Sequence, residues 1–262
     1  FMGQVSHFLG IRFQWRQTKT DIHVHLSQQA FTENLINQAG LDNPSVTTNL
    51  TPYRSGYPID SIKSVKLPQQ QKAQLEQELR SYVGSFLWLS QGTRPDIATI
   101  TNILSKHQNN PAPAHISAAK YVIKYLKGTK DFGITFSSNS DTNLSTFVHF
   151  PIKSKILTGI TDANWGPQDQ SKPIPGKVYP KIDIFKSRSI SGHLITFHGP
   201  LHWSSKRQKV TARSSAEVEI YATDECTKCL QQLKNITDDL NLPYSKTPPQ
   251  IYNDNQACIY WS

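Results

Sequence analysis

The spacing of apolar residues changes once along this chain, and that change limits the folds it can adopt. From Gln69 to Leu126 the spacing is helical, whereas after Gly128 apolar and polar residues alternate in short runs. Strands are predicted in "FGITF", "ILTGIT", "GHLITFH" and "LHWSS", with a hairpin at Gly199-Pro200. A helix is predicted from Ser215 to Leu240, then a strand in "PQIYND" and a helix in "NQACIYW". This order predicts a mixed α/β domain.

The first 68 residues have three features of their own. The runs "VSHFLGIRFQW" and "DIHVHLS" predict two strands joined by the polar turn "RQTKT". A short helix is expected in "SQQAFTENLINQAG", ended by Gly40. Residues 42–68 are rich in Pro and Ser without clear periodicity, which indicates a linker or a surface loop.

Composition narrows the function classes. Lys and Arg outnumber Asp and Glu by 28 to 19, which gives a net charge of +9 and favours a polyanion such as nucleic acid, or a protein that is merely basic. Cys226 and Cys229 form a CxxC inside a helical pattern without a second pair, so core packing is expected rather than a zinc site. No apolar run approaches the roughly 20 residues that span a bilayer, and no signal peptide is evident.

Three acids occupy positions where α/β sheets collect ligands. Asp162 and Asp254 end predicted strands, and Glu219 lies in the first turns of the long helix. Ser214 and Glu217 match a capping box, which gives Glu217 a structural role. Glu219 shares the apolar, sheet-facing stripe with Ala222, Cys226 and Leu230. Either the three carboxylates bind a hard divalent cation, Mg²⁺ or Mn²⁺, or they are separately solvated.

Basic side chains cluster in two places. Lys120, Lys124 and Lys127 lie on one face of a predicted helix, which fits either a phosphate backbone or a solvated surface. A second cluster, Lys206, Arg207 and Lys209, lies in "SKRQK". Both clusters are expected to contact nucleic acid.

Seven segments in this order resemble the C-terminal part of Ty1/copia-type retrotransposon polyproteins: "FLGI", "YVGSFLWLSQGTRPDIA", "HISAAKYVIKYLKGT", "TDANWG", "SISGHLITFHGPLHWSSKRQ", "SSAEVEIYA" and "IYNDNQAC". The resemblance implies an α+β, or α/β, chain in three parts. Residues 1–45 would end a reverse-transcriptase palm, residues 46–130 would form a helical thumb and connection, and residues 131–262 a ribonuclease H-like mixed sheet with helices, truncated at its C-terminus.

The resemblance also implies residue roles. Asp162, Glu219 and Asp254 match the acids of a ribonuclease H site, which hydrolyses the RNA strand of RNA/DNA hybrids with two Mg²⁺ or Mn²⁺ ions. Phe8, Leu9 and Gly10 resemble the hairpin that holds the primer end, although they could simply form a hairpin with Phe8 and Leu9 buried. The implied setting is intracellular, in a cytoplasmic virus-like particle or the nucleus, beside the rest of the polyprotein.

The chain departs from the family pattern in three ways. The aromatic-x-Asp-Asp polymerase motif is missing, and Asp238-Asp239 sits late in a helix, so no DNA polymerisation is expected. A surface loop is expected at residues 168–188. The chain starts at Phe1 and stops eight residues after Asp254, so the last ribonuclease H ligand is expected to be missing.

Two rival interpretations are open, and the first comes from a different class of protein. One is a catalytically inactive retroelement relic that only binds nucleic acid. The other is a nuclease of another retroviral-type family, against which "TRPDI", "SISGH" and "DNQ" argue.

Overall fold

The structure is a computed structural model that describes residues 3–54, 59, 62, 67–138, 155–164, 188–242 and 246–261. The chain packs as two compact units. The first unit comprises residues 1–17 and 22–135, and the second comprises residues 18–21 and 136–262. The expected loop at 168–188 lies outside the described residues except for its last residue, Arg188.

A four-stranded sheet begins the chain. Its strands β1 (His7–Phe8), β2 (Ile11–Gln17), β3 (Ile22–Ser27) and β4 (Gly133–Ser137) are neighbours in that order. β2 and β3 pair antiparallel, so the predicted hairpin is confirmed. β4, the strand predicted in "FGITF", is a neighbour of β3 and not of the later strands. The sequence did not indicate this, because an alternating pattern does not specify which strand is the partner.

The helices of the first unit follow the predicted pattern. They are α1 (Gln29–Gln38), α2 (Gln69–Gly92), α3 (Ala98–Ser105) and α4 (Pro113–Gly128), with a 3₁₀ turn at Pro95–Ile97 before α3. Gly40 ends α1 with a φ of 66°, as expected for a left-handed cap. The helices bury a common core that includes Leu79, Val83, Phe86, Leu89, Ile100, Leu104, Val122, Ile123 and Leu126.

An ion pair between a buried arginine and a more exposed aspartate fixes the segment "TRPDI". The Arg94 guanidinium is almost fully buried and donates to the Asp96 carboxylate, with Nη2 to Oδ2 at 2.7 Å. Its Nη1 donates to the carbonyl oxygen of Thr129 at 2.8 Å, and the Tyr125 hydroxyl donates to Asp96 Oδ2 at 2.7 Å. Burial, together with the Asp96 carboxylate, raises the pKa of Tyr125 to about 12. This segment therefore holds α3 and α4 together through satisfied polar groups.

The second unit contains a mixed sheet. Its strands are β5 (Thr158–Asn164), β6 (Ile190–Thr196), β7 (Pro200–Arg207) and β8 (Gln250–Tyr252), in the order β7-β6-β5-β8. β6 pairs antiparallel with β5 and β7, whereas β8 pairs parallel with β5. The predicted hairpin before Pro200 is confirmed, and His198 in its loop has a φ of 58°.

Helix α5 (Ser215–Asp239) packs against β5 and β6, and a short helix α6 (Gln256–Trp261) follows β8. The contact with β5 is close at Gly159, where an added Cβ would lie 2.6 Å from Cys226 Sγ. Cys226 is buried in this core with Leu157, Ile195 and Leu230. Sheet and helices together confirm the mixed α/β prediction. No helix in the described part of the chain is long and apolar enough to cross a membrane.

The two ends of α5 agree with the sequence in most respects. Ser214 Oγ accepts from the backbone N–H of Glu217 at 3.2 Å, so the serine half of the predicted capping box is confirmed. Glu217 Oε2 accepts instead from the backbone N–H of Arg213 at 2.7 Å, one residue before the predicted donor. Asp238 and Asp239 are exposed at the far end, as expected, and Asp238 pairs with Lys234.

Candidate metal centre

Asp162 lies near the end of β5 with its side chain exposed. Its partner on the adjacent strand is Gly192, and side chains paired across strands share one face of a sheet. Because Gly192 has no side chain, the position on β6 that pairs with Asp162 places no side chain next to the Asp162 carboxylate.

Glu219 is buried, with a relative exposure of 6%, as its helical phase predicts. Its Oε1 accepts from the backbone N–H of Ala163 at 3.2 Å, and its Oε2 accepts from Asn253 Nδ2 at 3.0 Å. Ala163 follows Asp162 and Asn253 precedes Asp254. Each Glu219 oxygen therefore accepts a hydrogen bond from a residue adjacent in sequence to one of the other two acids.

Asp254 lies two residues after β8, between two asparagines with defined contacts. Asn253 Oδ1 accepts from the backbone N–H of Asn255 at 2.7 Å, and Asn255 Oδ1 accepts from the backbone N–H of Cys258 at 3.0 Å. The second contact caps the start of α6. These local bonds fix the backbone that carries the third acid.

The three acids converge. Asp162, Glu219 and Asp254 each offer a carboxylate oxygen that lies within 4.8 Å of those of the other two. Glu217, in contrast, bonds the backbone at the start of α5. The predicted proximity of the three acids is confirmed, while their roles as metal ligands and catalytic groups stay a prediction.

The electrostatics of the cluster favour a cation. Burial raises the pKa of Glu219 above its usual range, and the charges of Asp162 and Asp254 raise it further. The hydrogen bonds from Asn253 and Ala163 act in the opposite direction. Oxygens bound at about 2.1 Å to one octahedral Mg²⁺ are about 3.0 Å apart when adjacent and about 4.2 Å apart when opposite, so a single ion bound by all three acids would draw them closer together than the 4.8 Å limit. Hard carboxylate oxygens at this spacing fit Mg²⁺ or Mn²⁺.

The basic cluster lies at the same end of the sheet as Asp162, with Lys206 and Arg207 at the end of β7 and Lys209 two residues after it. Asp162 pairs with Gly192, and Gly192 pairs with Ser205, the residue before Lys206. Two strand spacings of about 4.8 Å separate β5 from β7, or about 10 Å in all. Lys206 and Lys209 are exposed and Arg207 is half-buried.

The lysines of α4 make contacts within the first unit. Lys120 Nζ lies 3.0 Å from the Glu78 carboxylate, and Lys127 Nζ donates to the carbonyl oxygens of Asn43 and Val46 at 2.6 and 3.1 Å. The Lys124 side chain is half-buried. A phosphate would compete with these contacts, and binding of nucleic acid by this stripe stays a prediction.

Leu9 and Gly10 form the turn between β1 and β2, directly after Phe8, which ends β1. Leu9 and Gly10 have φ values of 48° and 74°, which is typical of a type I′ hairpin turn. Phe8 is 61% exposed and Leu9 is 69% exposed. The alternative in which both are buried is therefore wrong, because both side chains are mostly exposed at the tip of the hairpin. The primer-end role stays a prediction.

Sequence reasoning did not find Asn253. The signal was present in "YNDNQ", where an amide precedes the acid that ends a strand. An asparagine beside a turn is usually explained by hydrogen bonds to the local backbone. Its contact with Glu219 depends on how α5 lies against β8, which the sequence does not show.

Comparison with known proteins supplies the family. The chain is 28% identical over 257 residues to the retrovirus-related Pol polyprotein from transposon RE2 of Arabidopsis thaliana, and 26% identical over 258 residues to that from transposon RE1 of the same plant. It is 27% identical over 261 residues to the one from transposon TNT 1-94 of Nicotiana tabacum. Each alignment covers 98% of this chain but only 15 to 17% of the relative. No protein-family profile and no solved structure matches.

Similarity along nearly the whole chain, to several transposon polyproteins, agrees with the ordered motifs of the sequence. The chain belongs to the Pol polyproteins of Ty1/copia-type retrotransposons and corresponds to a segment of them.

Proposed function

We propose that this segment hydrolyses the RNA strand of RNA/DNA hybrids, as the ribonuclease H part of a retrotransposon Pol polyprotein. The observation that carries the proposal is the convergence of Asp162, Glu219 and Asp254, with carboxylate oxygens within 4.8 Å of one another. Three acids from two strand ends and one helix have few structural uses at such spacing, because they repel one another.

The three carboxylates would hold Mg²⁺ or Mn²⁺ in a two-metal site. Such ions, when bound, ionise the attacking water and stabilise the leaving oxygen. Asn253 and the Ala163 N–H keep the Glu219 carboxylate directed toward Asp162 and Asp254. Outer contacts of this kind orient ligands before the ion binds.

The substrate class follows from charge and position. Lys206 and Lys209 are exposed at the Asp162 end of the sheet. Lys206 follows Ser205 and so extends from the face opposite to Asp162, and a nucleic acid whose RNA strand reaches the acids would contact both lysines across the end of the sheet. The 2′-hydroxyl distinguishes the RNA strand from DNA. The supporting observations are this basic edge and the relatives' identity as Pol polyproteins.

The test is hydrolysis of an end-labelled RNA/DNA hybrid in Mg²⁺ or Mn²⁺ buffer. The chain should cleave the RNA strand, Asp162→Asn should abolish cleavage, and Glu217→Gln should retain it as a matched control in the same region. If the folded chain binds hybrid but gives no Asp162-dependent cleavage, the inactive relic is the better description.

A further inference from the structure

A second cluster of metal-binding side chains lies in the second unit, apart from the three acids. It joins His193 of β6, His202 of β7 and Cys229 of α5, each with a ligand atom within 4.8 Å of those of the others. His193 Nε2 and His202 Nδ1 are 3.1 Å apart, and the two rings are stacked. The Pol relationship assigns no role to this cluster.

Strand register explains why the three side chains meet. His202 pairs with Ile195, so the two share a face of the sheet, and His193 lies two residues before Ile195 on the same face. Ile195 packs in the core with Cys226 of α5. Cys229 lies three residues after Cys226, nearly one helical turn further along the same side. The histidine pair and the thiol therefore face each other between the sheet and the helix.

The donor set selects a different cation from the carboxylate site. Two imidazole nitrogens and one thiolate sulfur are typical ligands of Zn²⁺, with Zn–N bonds of about 2.0 Å. Two nitrogens on a tetrahedral Zn²⁺ lie about 3.3 Å apart, close to the 3.1 Å between His193 Nε2 and His202 Nδ1. We propose that His193, His202 and Cys229 form a binding site for Zn²⁺ that links the β6–β7 hairpin to α5.

The protonation of the two histidines is compatible with this site. Burial lowers the pKa of His193 to about 4, with the charges of His202 and Lys206 adding to the effect. Burial also lowers the pKa of His202, again with a contribution from Lys206. Both imidazoles are therefore neutral near pH 7, which is the form that binds metal. Cys229 is partly exposed, which gives the ion a path from solvent.

The site would have a structural consequence for the carboxylates. Cys229 lies ten residues after Glu219 on the same helix. A cation bound by β6, β7 and α5 would restrict movement of that helix against the strands. The competing explanation is a hydrogen bond between two neutral imidazoles with an unrelated thiol nearby.

The experiment uses the full chain and Co²⁺ as a spectroscopic probe for Zn²⁺. One equivalent of Co²⁺ should produce a thiolate-to-cobalt absorption band, Zn²⁺ should displace it, and Zn²⁺ should raise the thermal unfolding midpoint. Cys229→Ser should abolish the band. His202→Gln should weaken binding by about 10-fold or more, because it removes one of three ligand bonds.

Two controls separate this site from its surroundings. Cys226→Ala removes the neighbouring thiol and should keep the band, and Asp162→Asn disables the carboxylate site and should also keep it. Absence of the band in the folded chain, or a band that survives Cys229→Ser, would overturn the proposal and leave the hydrogen-bonded histidine pair as the explanation.

Discussion

Asn253 Nδ2 donates a hydrogen bond to Glu219 Oε2 at 3.0 Å, and so connects the residue before Asp254 to the acid on α5. The same amide also donates to Thr223 Oγ1 at 3.2 Å. An amide held by two acceptors cannot rotate freely, and the orientation of Glu219 depends on it.

Replacing Asn253 by Ala should weaken Mg²⁺ binding by about 10-fold, because outer hydrogen bonds that orient a metal ligand have effects of this size. The pKa of Glu219 should also rise further, since this bond lowers it. Isothermal titration with Mg²⁺ measures the first effect. Asn235→Ala on α5 is the control, because it removes an exposed amide that accepts from Gln231 Nε2 and contacts none of the three acids. Equal Mg²⁺ affinity in Asn253→Ala and wild type would exclude this positioning role.

Glu219 should make stability depend on pH in metal-free buffer. Its pKa is raised in the folded chain, so the native state binds more protons than the unfolded state as pH rises above the usual value of 4.5. The free energy of unfolding should therefore fall across the interval between the unfolded and folded pKa. Below the unfolded value both states are protonated, and the penalty disappears.

Glu219→Gln should remove this penalty. The Gln amide nitrogen cannot accept one of the two hydrogen bonds at either pH, so the effect is measured as a change: in EDTA the stability of the variant relative to wild type should increase by on the order of 1 kcal/mol between pH 4 and pH 7. Urea unfolding at pH 4 and pH 7 measures the difference, which should shrink at the lower pH. Added Mg²⁺ should stabilise only the wild type; a variant advantage that is independent of pH would contradict the assignment.

The two basic clusters should contribute unequally to hybrid binding. Lys206 and Lys209 are exposed, whereas Lys120 and Lys127 are engaged with groups in their own unit. Removing one lysine–phosphate interaction lowers the slope of log K against log salt by roughly 0.9 in magnitude. Replacing Lys206 and Lys209 by Gln should reduce the slope by up to roughly 1.8, and the Lys120 and Lys127 pair should change it less. Fluorescence anisotropy across a salt series provides the comparison, and a larger effect of the helix pair would reverse this ranking.

Close packing of α5 on β5 can be tested with two glycines. A Cβ at Gly159 would lie 2.6 Å from Cys226 Sγ and 2.9 Å from Leu230 Cδ1, both in the core. Gly159→Ala should therefore cost about 1–3 kcal/mol by overpacking. At Gly192 the nearest atom would be 3.7 Å away, so Gly192→Ala should stay within about 0.5 kcal/mol. Similar chemical denaturation midpoints for the two variants would show that the helix adjusts without cost.

Much of this structure could be predicted because local patterns determine it. The phase of α5 placed Glu219 on the buried stripe and assigned Glu217 to the helix start, and both agree with the structure. Alternation predicted β5, which carries Asp162, and the strand predicted in "PQIYND" is β8, which ends two residues before Asp254. These features depend on the periodicity of apolar residues in helices and strands, and on contacts between residues close in sequence.

The unpredicted features depend on how elements lie against each other. His193, His202 and Cys229 meet only because β6 and β7 pair with Ile195 opposite His202 and α5 covers that face. The CxxC pattern treats Cys226 and Cys229 as a pair, although Cys226 is buried and Cys229 is partly exposed. In the same way, the pattern of β4 did not indicate that its neighbour is β3.

The strand before Asp254 is held by fewer paired residues than the strand that contains Asp162. β8 pairs with β5 over three residues, whereas β5 pairs with β6 over seven. A short strand at the end of a sheet opens more readily than a long central one, by local fluctuation that leaves the remaining fold intact. Assembly of the three acids is therefore governed by the local opening free energy of β8, and amide hydrogen exchange at Ile251 and Tyr252 reports it directly. A cation that binds all three acids would close this strand and slow that exchange.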